Sequence, residues 1–157
     1  MGLRPLTAYQ TAPYRPRILA IAGFVIVAVM FACSMPLRWV GVITESGGYV
    51  IADGWSQASW LLVVGVLAIA LAVRLYLAPP GGFIRFVLVL LNFLVVLGMY
   101  IEYINNLGRA ESYTTDAYLG AGFFIALGAT GVLIASSILG WRTRDDWSGG
   151  ADNHAQG

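Results

Sequence analysis

The sequence contains no lysine, one cysteine and one histidine, and only 11% of its 157 residues are charged. Cys33 cannot form an intramolecular disulfide, and His154 lies in a polar tail, so neither residue completes a site that the chain builds alone. Charges are too few to cover a soluble globule, and 59% of the residues are hydrophobic, which excludes a soluble enzyme. The nine arginines nearly balance the eight acids and do not cluster with aromatic residues, which excludes a nucleic-acid partner.

Four apolar segments are long enough to cross a membrane as helices. Each has roughly the 17 to 25 residues that about 30 Å of hydrocarbon requires, and a helix satisfies its backbone polar groups internally. The segments run from Ile18 to Met35, from Trp60 to Leu77, from Phe83 to Ile101 and from Tyr118 to Trp141. We therefore predict an all-α membrane protein: an antiparallel four-helix transmembrane bundle over residues 18–141, preceded by a cytoplasmic segment 1–17 and followed by a flexible cytoplasmic tail 142–157.

The distribution of arginine predicts the orientation of these segments. One side of the membrane would hold both termini and the connection between the second and third segments, with Arg4, Arg15, Arg17, Arg74, Arg85, Arg142 and Arg144. The other side would hold only Arg38 and Arg109. By the positive-inside rule, we expect a multi-pass protein of the cell membrane with both termini in the cytoplasm.

The connection between the second and third segments contains strong helix breakers. Pro79 and Pro80 are followed by two glycines, a combination that ends a helix on both sides. We therefore expect the second and third helices to be antiparallel neighbours. Arg74 and Arg85 flank this connection, close enough to its ends for their guanidinium groups to reach the lipid headgroups.

The stretch between the first two segments has the pattern of a short β-hairpin. Residues 39–44 and 49–52 are rich in β-branched and aromatic side chains, and they flank a Glu-Ser-Gly-Gly turn. A lone hairpin is marginally stable in water, so we expect it to lie against the ends of the helices, or alternatively against a partner. Trp39 and Trp55 are the candidates for an outer-loop surface, and Trp39 also suits an aromatic belt at the membrane interface.

The fourth segment is rich in small residues. Gly122, Ala126 and Thr130 are spaced four residues apart, which predicts a helix-packing face because small side chains let two backbones approach closely. The spacing leaves open whether this face meets a helix of the same chain or of another subunit, and we favour the same chain.

Two polar side chains within or at the edge of a segment are candidate contacts. Asn92 lies near the centre of the third segment, and we expect its amide to reach the fourth, either a hydroxyl of Thr130, Ser136 or Ser137 or a backbone carbonyl beside the glycines there. Glu102 lies at the outer edge, where it can pair with Arg38 or Arg109. Ten residues of helix rotate Glu102 by about 80° from Asn92, so the sequence does not indicate a continuous proton path.

Several families with short spanning helices lack support in these residues. The first segment has no acidic residue, whereas small multidrug resistance transporters carry a glutamate in their first helix. Disulfide-generating membrane enzymes need paired cysteines, and Cys33 is the single cysteine of this sequence. The spans contain no histidine for a four-helix cytochrome and no HExxH-type ligand set for a membrane zinc protease.

Two other resemblances rest on the outer loop. Trp39, Gly54 and Trp55 resemble the first outer loop of the claudin-like group, although that loop's two cysteines are absent, so the similarity is one of architecture. A tryptophan after the first span, a Gly-Trp before the second and a glycine-rich fourth span resemble small four-span membrane proteins of GC-rich Gram-positive bacteria. The second resemblance covers nearly the whole chain and implies a four-span fold without implying a reaction.

Residues 30–33 are also similar to a lipoprotein signal that ends at Cys33. Cleavage there would leave only three spans, so we expect the first segment to be retained.

These patterns favour a non-catalytic membrane subunit or an accessory or assembly factor of a larger complex, such as a respiratory or envelope-transport complex. We expect no catalytic residues, metal ligands or cofactors, and we expect the lipid bilayer and other membrane subunits as partners. The alternative is a small homo-oligomeric transporter or channel in which Asn92 and Glu102 line the path.

Overall fold

The computed structural model describes residues 14–43, 49–77, 81–113 and 116–142. This part of the chain forms five helices and three short strands. In chain order they are α1 (Tyr14–Ser34), β1 (Arg38–Ile43), β2 (Tyr49–Asp53), α2 (Gly54–Ala58), α3 (Trp60–Leu77), α4 (Gly82–Tyr113), β3 (Asp116–Leu119) and α5 (Ala121–Arg142).

Helices α1, α3, α4 and α5 are each long and apolar enough to cross a membrane, which confirms the four predicted segments by length and composition. Helix α3 has the predicted bounds, Trp60 and Leu77. The backbone hydrogen bonds of a helix form within the helix itself, so an apolar run of this length becomes helical whatever its neighbours are. The chain is therefore a mostly helical protein of the multi-pass membrane type.

Three helix bounds differ from the predicted segments: α1 begins at Tyr14, four residues before Ile18, and the other two are the end of α4 and the start of α5. Helix α4 does not end near Ile101 but continues to Tyr113, giving 32 residues and a length of about 48 Å. Hydropathy marks the part of a helix that suits hydrocarbon, whereas the helix itself continues until its backbone is interrupted. Helix α5 begins at Ala121 and not at Tyr118, because Tyr118 belongs to strand β3.

The predicted hairpin is present as strands β1 and β2, which pair antiparallel from Arg38 with Asp53 to Ile43 with Tyr49. Its turn, residues 44–48, lies outside the described residues. The sequence analysis did not predict β3, which pairs antiparallel with the other edge of β1 and makes β1 the central strand. The ring of Tyr118 covers Gly41 across this pair, where a side chain on Gly41 would collide with it.

The small sheet is tied to the ends of the helices by backbone hydrogen bonds. The N–H of Gly54 donates to the oxygen of Met35, just after α1, over 2.9 Å. The N–H of Gly120, just before α5, donates to the oxygen of Trp39 over 2.8 Å. The sheet therefore lies against the ends of α1 and α5, as expected of a lid on the helices.

Helix α1 packs between α3 and α5 and runs antiparallel to both. Its Ala28 faces Gly65 of α3, and its Gly23 and Ala20 face Ser136 and Gly140 of α5. The glycines allow these close approaches because they carry no side chain between the backbones. Helices α1, α3 and α5 thus share most of the buried apolar core.

Helix α4 lies at the periphery, where it contacts α5 more than α3. Helix α4 also touches α3, where the ring of Trp60 covers Gly98. Elsewhere they leave a groove of about 230 Å³, lined by Leu67, Ala70, Leu71, Arg74, Ile84, Val87 and Leu91. A short connection therefore makes two helices adjacent without making them pack tightly.

Candidate functional site

The polar contact in the middle of the helices joins α4 to α5. The amide nitrogen of Asn92 donates to the hydroxyl of Ser137 over 2.7 Å and to the backbone oxygen of Leu88 over 2.6 Å. The Ser137 hydroxyl in turn donates to the backbone oxygen of Leu133 over 2.8 Å. The predicted contact of Asn92 with a hydroxyl of the fourth segment is confirmed, and Ser137 is its partner.

This contact leaves part of the amide unsatisfied. The Oδ1 atom of Asn92 is buried and accepts no hydrogen bond from the described residues. Buried polar atoms are nearly always paired because the loss of hydration is costly. Asn92 is therefore a polar residue with an unsatisfied acceptor in an otherwise apolar region.

Asn92 also lines the larger described groove, which we call the α4–α5 groove. Its volume is about 410 Å³. It is lined by Leu88, Val89, Asn92, Ile134, Ser137, Ile138, Trp141 and Arg142. These side chains are mostly apolar, and the polar ones are concentrated at Asn92 and Ser137 in its wall and at Arg142 at one end.

Arg85 and Trp141 stand beside that end of the groove. The guanidinium carbon of Arg85 lies 5.0 Å from the centre of the Trp141 ring, within the range of a cation–π contact. One terminal nitrogen of Arg85 also approaches the Trp141 backbone oxygen at 3.4 Å. Its Nε atom is buried and has no hydrogen-bond acceptor among the described residues. Arg85 is thus oriented by Trp141, with a donor left unused.

Most of the described arginines lie at one end of the helices. Arg17, Arg74, Arg85 and Arg142 lie at the end where α1 and α4 begin and where α3 and α5 finish. Arg17 donates to the backbone oxygens of Leu75 and Tyr76, so it covers exposed carbonyl groups at the C-terminus of α3. The opposite end carries Asp53, Glu102 and Arg38 among the described side chains.

The other predicted polar contacts are not brought to Asn92. Glu102 lies half-buried on α4, about 15 Å farther along the helix axis. The side chain of Arg38 is exposed on β1, and that of Arg109 lies outside the described part of the structure. The pairing of Glu102 with either arginine stays a prediction.

The predicted packing face on α5 lies inside the protein. Gly122, Ala126 and Thr130 are all buried. A side chain on Gly122 would meet the Trp39 ring and the backbone oxygen of Ser34, both from the same chain. Gly122 therefore packs against its own chain, which is the alternative that we favoured.

The two outer-loop tryptophans have different environments. Trp55 is 55% exposed on α2, as expected of a surface residue. The placement of Trp39 on the outer surface or in an interfacial belt is wrong, since Trp39 is 0% exposed. Its ring packs edge-on against Phe123 of α5, with 5.8 Å between ring centres. A tryptophan just after an apolar helix can fold back under a sheet as well as face lipid, and hydropathy does not distinguish these outcomes.

Asp53 directly precedes the short helix α2, which carries Trp55. Its carboxylate accepts a hydrogen bond from the backbone N–H of Ser56 over 3.0 Å. This backbone hydrogen bond is the largest of the causes that hold the pKa of the Asp53 carboxyl below its ordinary value. Asp53 is therefore an N-cap, and its role is structural.

Sequence reasoning missed the contact between Arg85 and Trp141. A partial signal was available, because Arg85 and Asn92 are seven residues apart and so lie on one face of a helix. The position of Trp141 opposite Arg85 depends on how α4 and α5 pack. No metal-ligating cluster of three histidine, cysteine or acidic side chains occurs within the described ranges.

Comparison with known proteins adds no family: no protein-family model, curated protein or solved structure matches this chain.

Proposed function

We propose that this chain is a multi-pass protein of the cell membrane with both termini in the cytoplasm, forming an antiparallel four-helix bundle. We propose further that it serves as a non-catalytic subunit or assembly factor of a larger membrane complex and docks through α4. The excess of arginine at one end, with seven of the nine arginines, supports the orientation. The uncovered face of α4 is the observation that carries the docking role.

Helix α4 is the least covered of the four long helices. Only 22% of its spanning stretch is buried, compared with 33% to 44% in the others. Its exposed face carries large apolar side chains at alternating spacings of three and four residues. We call this the α4 ridge: Phe83, Phe86, Leu90, Phe93, Leu97, Tyr100 and Ile104.

The spacing of the α4 ridge is that of a helix-to-helix seam. Alternating steps of three and four residues keep side chains on one stripe, which a partner helix can engage by knobs-into-holes packing. The stripe points away from the buried Leu88 and Val95, so it does not contribute to the fold of this chain. A helix of another membrane subunit is the occupant that matches its shape and length.

Site-specific photocrosslinking tests the docking role. A photoreactive residue at Phe93 on the α4 ridge should give an adduct of defined mass with one membrane protein in native membranes. The matched control is Val66 on α3, which is similarly exposed (67% against 62%) but lies outside the ridge. Purification in mild detergent should recover the same protein in stoichiometric amount. The docking role is excluded if both positions give only lipid adducts and the chain runs alone.

Cysteine labelling tests the orientation. In a Cys33→Ser background, Ser56→Cys places a thiol on α2 and Gly81→Cys places one in the connection before α4; both positions are exposed. A membrane-impermeant maleimide added to intact cells should label position 56 and not position 81. The opposite pattern would reverse the proposed topology.

The transporter alternative needs a polar path. Asn92 uses both amide hydrogens within the protein, and the groove around it is mainly apolar. These observations favour the role of subunit or assembly factor over that of a transporter. Unchanged solute flux for Glu102→Gln in proteoliposomes would remove the best candidate for a transport residue, whereas a loss of flux would support the alternative.

A further inference from the structure

We propose that the α4–α5 groove binds one anionic phospholipid, with the phosphate at Arg85 and Arg142 and one acyl chain between the two helices. This inference depends on the chain lying in a membrane. It does not depend on the proposed partner subunit, because the groove is formed within one chain.

The shape of the groove suits an acyl chain. It runs beside α5 from Arg142 to Ile134, a distance of about 12 Å along the helix axis. Leu88, Val89 and Ile138 make its walls apolar. In a bilayer, an unfilled groove would leave these walls without dispersion contacts, so a lipid chain is the natural occupant.

The charge at the groove's end selects the headgroup. Arg142 lines the groove, and Arg85 is oriented beside it by Trp141. The buried Nε of Arg85 has no acceptor among the described residues. An arginine fork binds a phosphate through two parallel hydrogen bonds, and a tryptophan at a helix end suits the headgroup level. A phosphate at this position would give the Nε donor its acceptor.

The surrounding charges favour a lipid with net negative charge. The described charged side chains at this end are arginines, and Arg17 is already directed to the carbonyl groups of α3. Basic pockets between helices near the cytoplasmic leaflet bind anionic headgroups, and each arginine near the surface contributes about 1 kcal/mol, or roughly a five-fold change in affinity. The competing occupant from this chain is the tail after Arg142, which contains Asp145 and Asp146.

The test is native mass spectrometry of the purified full-length chain in mild detergent. Phosphatidylglycerol, with a net negative charge, and phosphatidylcholine, with none, are added in equal amounts. We expect one phosphatidylglycerol to stay bound and phosphatidylcholine not to. Arg85→Gln and Arg142→Gln should each weaken phosphatidylglycerol binding about five-fold. The matched control is Arg74→Gln, because Arg74 lies at the same end but on α3, outside the α4–α5 groove. This variant should change phosphatidylglycerol binding less than two-fold.

A second pair of variants separates the groove from general surface charge. Val89→Trp fills the groove and should abolish phosphatidylglycerol binding, whereas Val66→Trp adds the same bulk on an exposed face of α3 and should not. Both positions are lipid-facing, so both variants should keep the thermal unfolding midpoint of the parent chain. If either arginine variant unfolds, the comparison of Val89→Trp with Val66→Trp still tests the proposal.

Five results would overturn the proposal. These are equal retention of the two lipids, equal effects of Arg74→Gln and Arg85→Gln, and binding to Val89→Trp as strong as to the parent chain. The fourth is binding that appears only after Asp145→Asn and Asp146→Asn, since the tail would then be the occupant. Competition by inorganic phosphate or glycerol phosphate at equal concentration would also refute it, because the site would then bind free phosphate and not a lipid.

Discussion

The indole N–H of Trp39 in β1 donates a hydrogen bond to the backbone oxygen of Ser34 at the end of α1, with 2.9 Å between the two atoms. The same ring packs edge-on against Phe123 of α5. The first strand is therefore folded back onto the helix that precedes it and is held there by the last long helix. Trp39 connects the sheet to the helical core.

Replacement of Trp39 should destabilise the protein more than replacement of Trp55. Trp39→Phe removes a buried hydrogen bond and leaves a gap beside Phe123, so we expect a loss of about 1 to 3 kcal/mol in the free energy of unfolding. Trp55→Phe, on the exposed α2, should change it by less than about 0.5 kcal/mol. Equilibrium unfolding in mixed micelles measures both, and equal losses would contradict the buried role of Trp39.

Two glycines of α5 should respond to alanine in opposite ways. A Cβ on Gly122 would lie 2.5 Å from the ring of Trp39 and 2.9 Å from the oxygen of Ser34, so Gly122→Ala should cost about 1 to 3 kcal/mol through overpacking. A Cβ on Gly131 would have nothing within 4 Å, so Gly131→Ala should keep or raise the stability through the better helix propensity of alanine. Thermal unfolding midpoints of the two variants provide the comparison. A similar fall for both would argue against the close contact between α5 and β1.

Asn92→Leu should weaken the protein only modestly. The substitution removes the hydrogen bond to Ser137, yet it also removes the unpaired Oδ1, so we expect a loss within about 0.6 to 1.7 kcal/mol. A double-mutant cycle with Ser137→Ala should give a coupling energy of about 0.6 kcal/mol. The matched control is Ser136→Ala, whose hydroxyl donates to Val132 on its own helix, and its coupling with Asn92 should be near zero. If Asn92→Leu left folding intact and abolished the function of a host complex, the amide would be a functional site and not a packing contact.

Acidification should release the N-cap of α2. The folded pKa of Asp53 is lowered, so its stabilising contribution is fully present above the ordinary value of 3.8 and is lost as the pH falls through the lowered pKa. The Ser56 amide resonance in an NMR titration should follow this transition, with a midpoint below 3.8. Asp53→Asn keeps a side-chain acceptor at the N-cap and should abolish the titration, whereas Asp53→Ala should weaken α2 at every pH. A midpoint at or above 3.8 would contradict the hydrogen bond from Ser56.

The hairpin and the polar contact of α4 were predictable from the pattern of neighbouring residues in the sequence. Strands β1 and β2 are close in sequence and have alternating side chains around a short turn, so their pairing was predictable. Asn92 has no polar partner among its helical neighbours, so a bond to the next helix was predictable as well, with three possible hydroxyls. The choice of Ser137 among those hydroxyls required the packing angle between α4 and α5.

The sequence by itself determined the four long helices, because an apolar stretch of spanning length must satisfy its backbone hydrogen bonds locally. Only the tertiary structure decided that β3 completes the sheet, that Trp39 is buried and that α4 lies at the periphery. Each of these depends on contacts between residues far apart in the chain. Since every face of these helices is apolar, hydropathy does not encode which face meets protein and which meets lipid, and the close fit of glycines against their neighbours makes that choice.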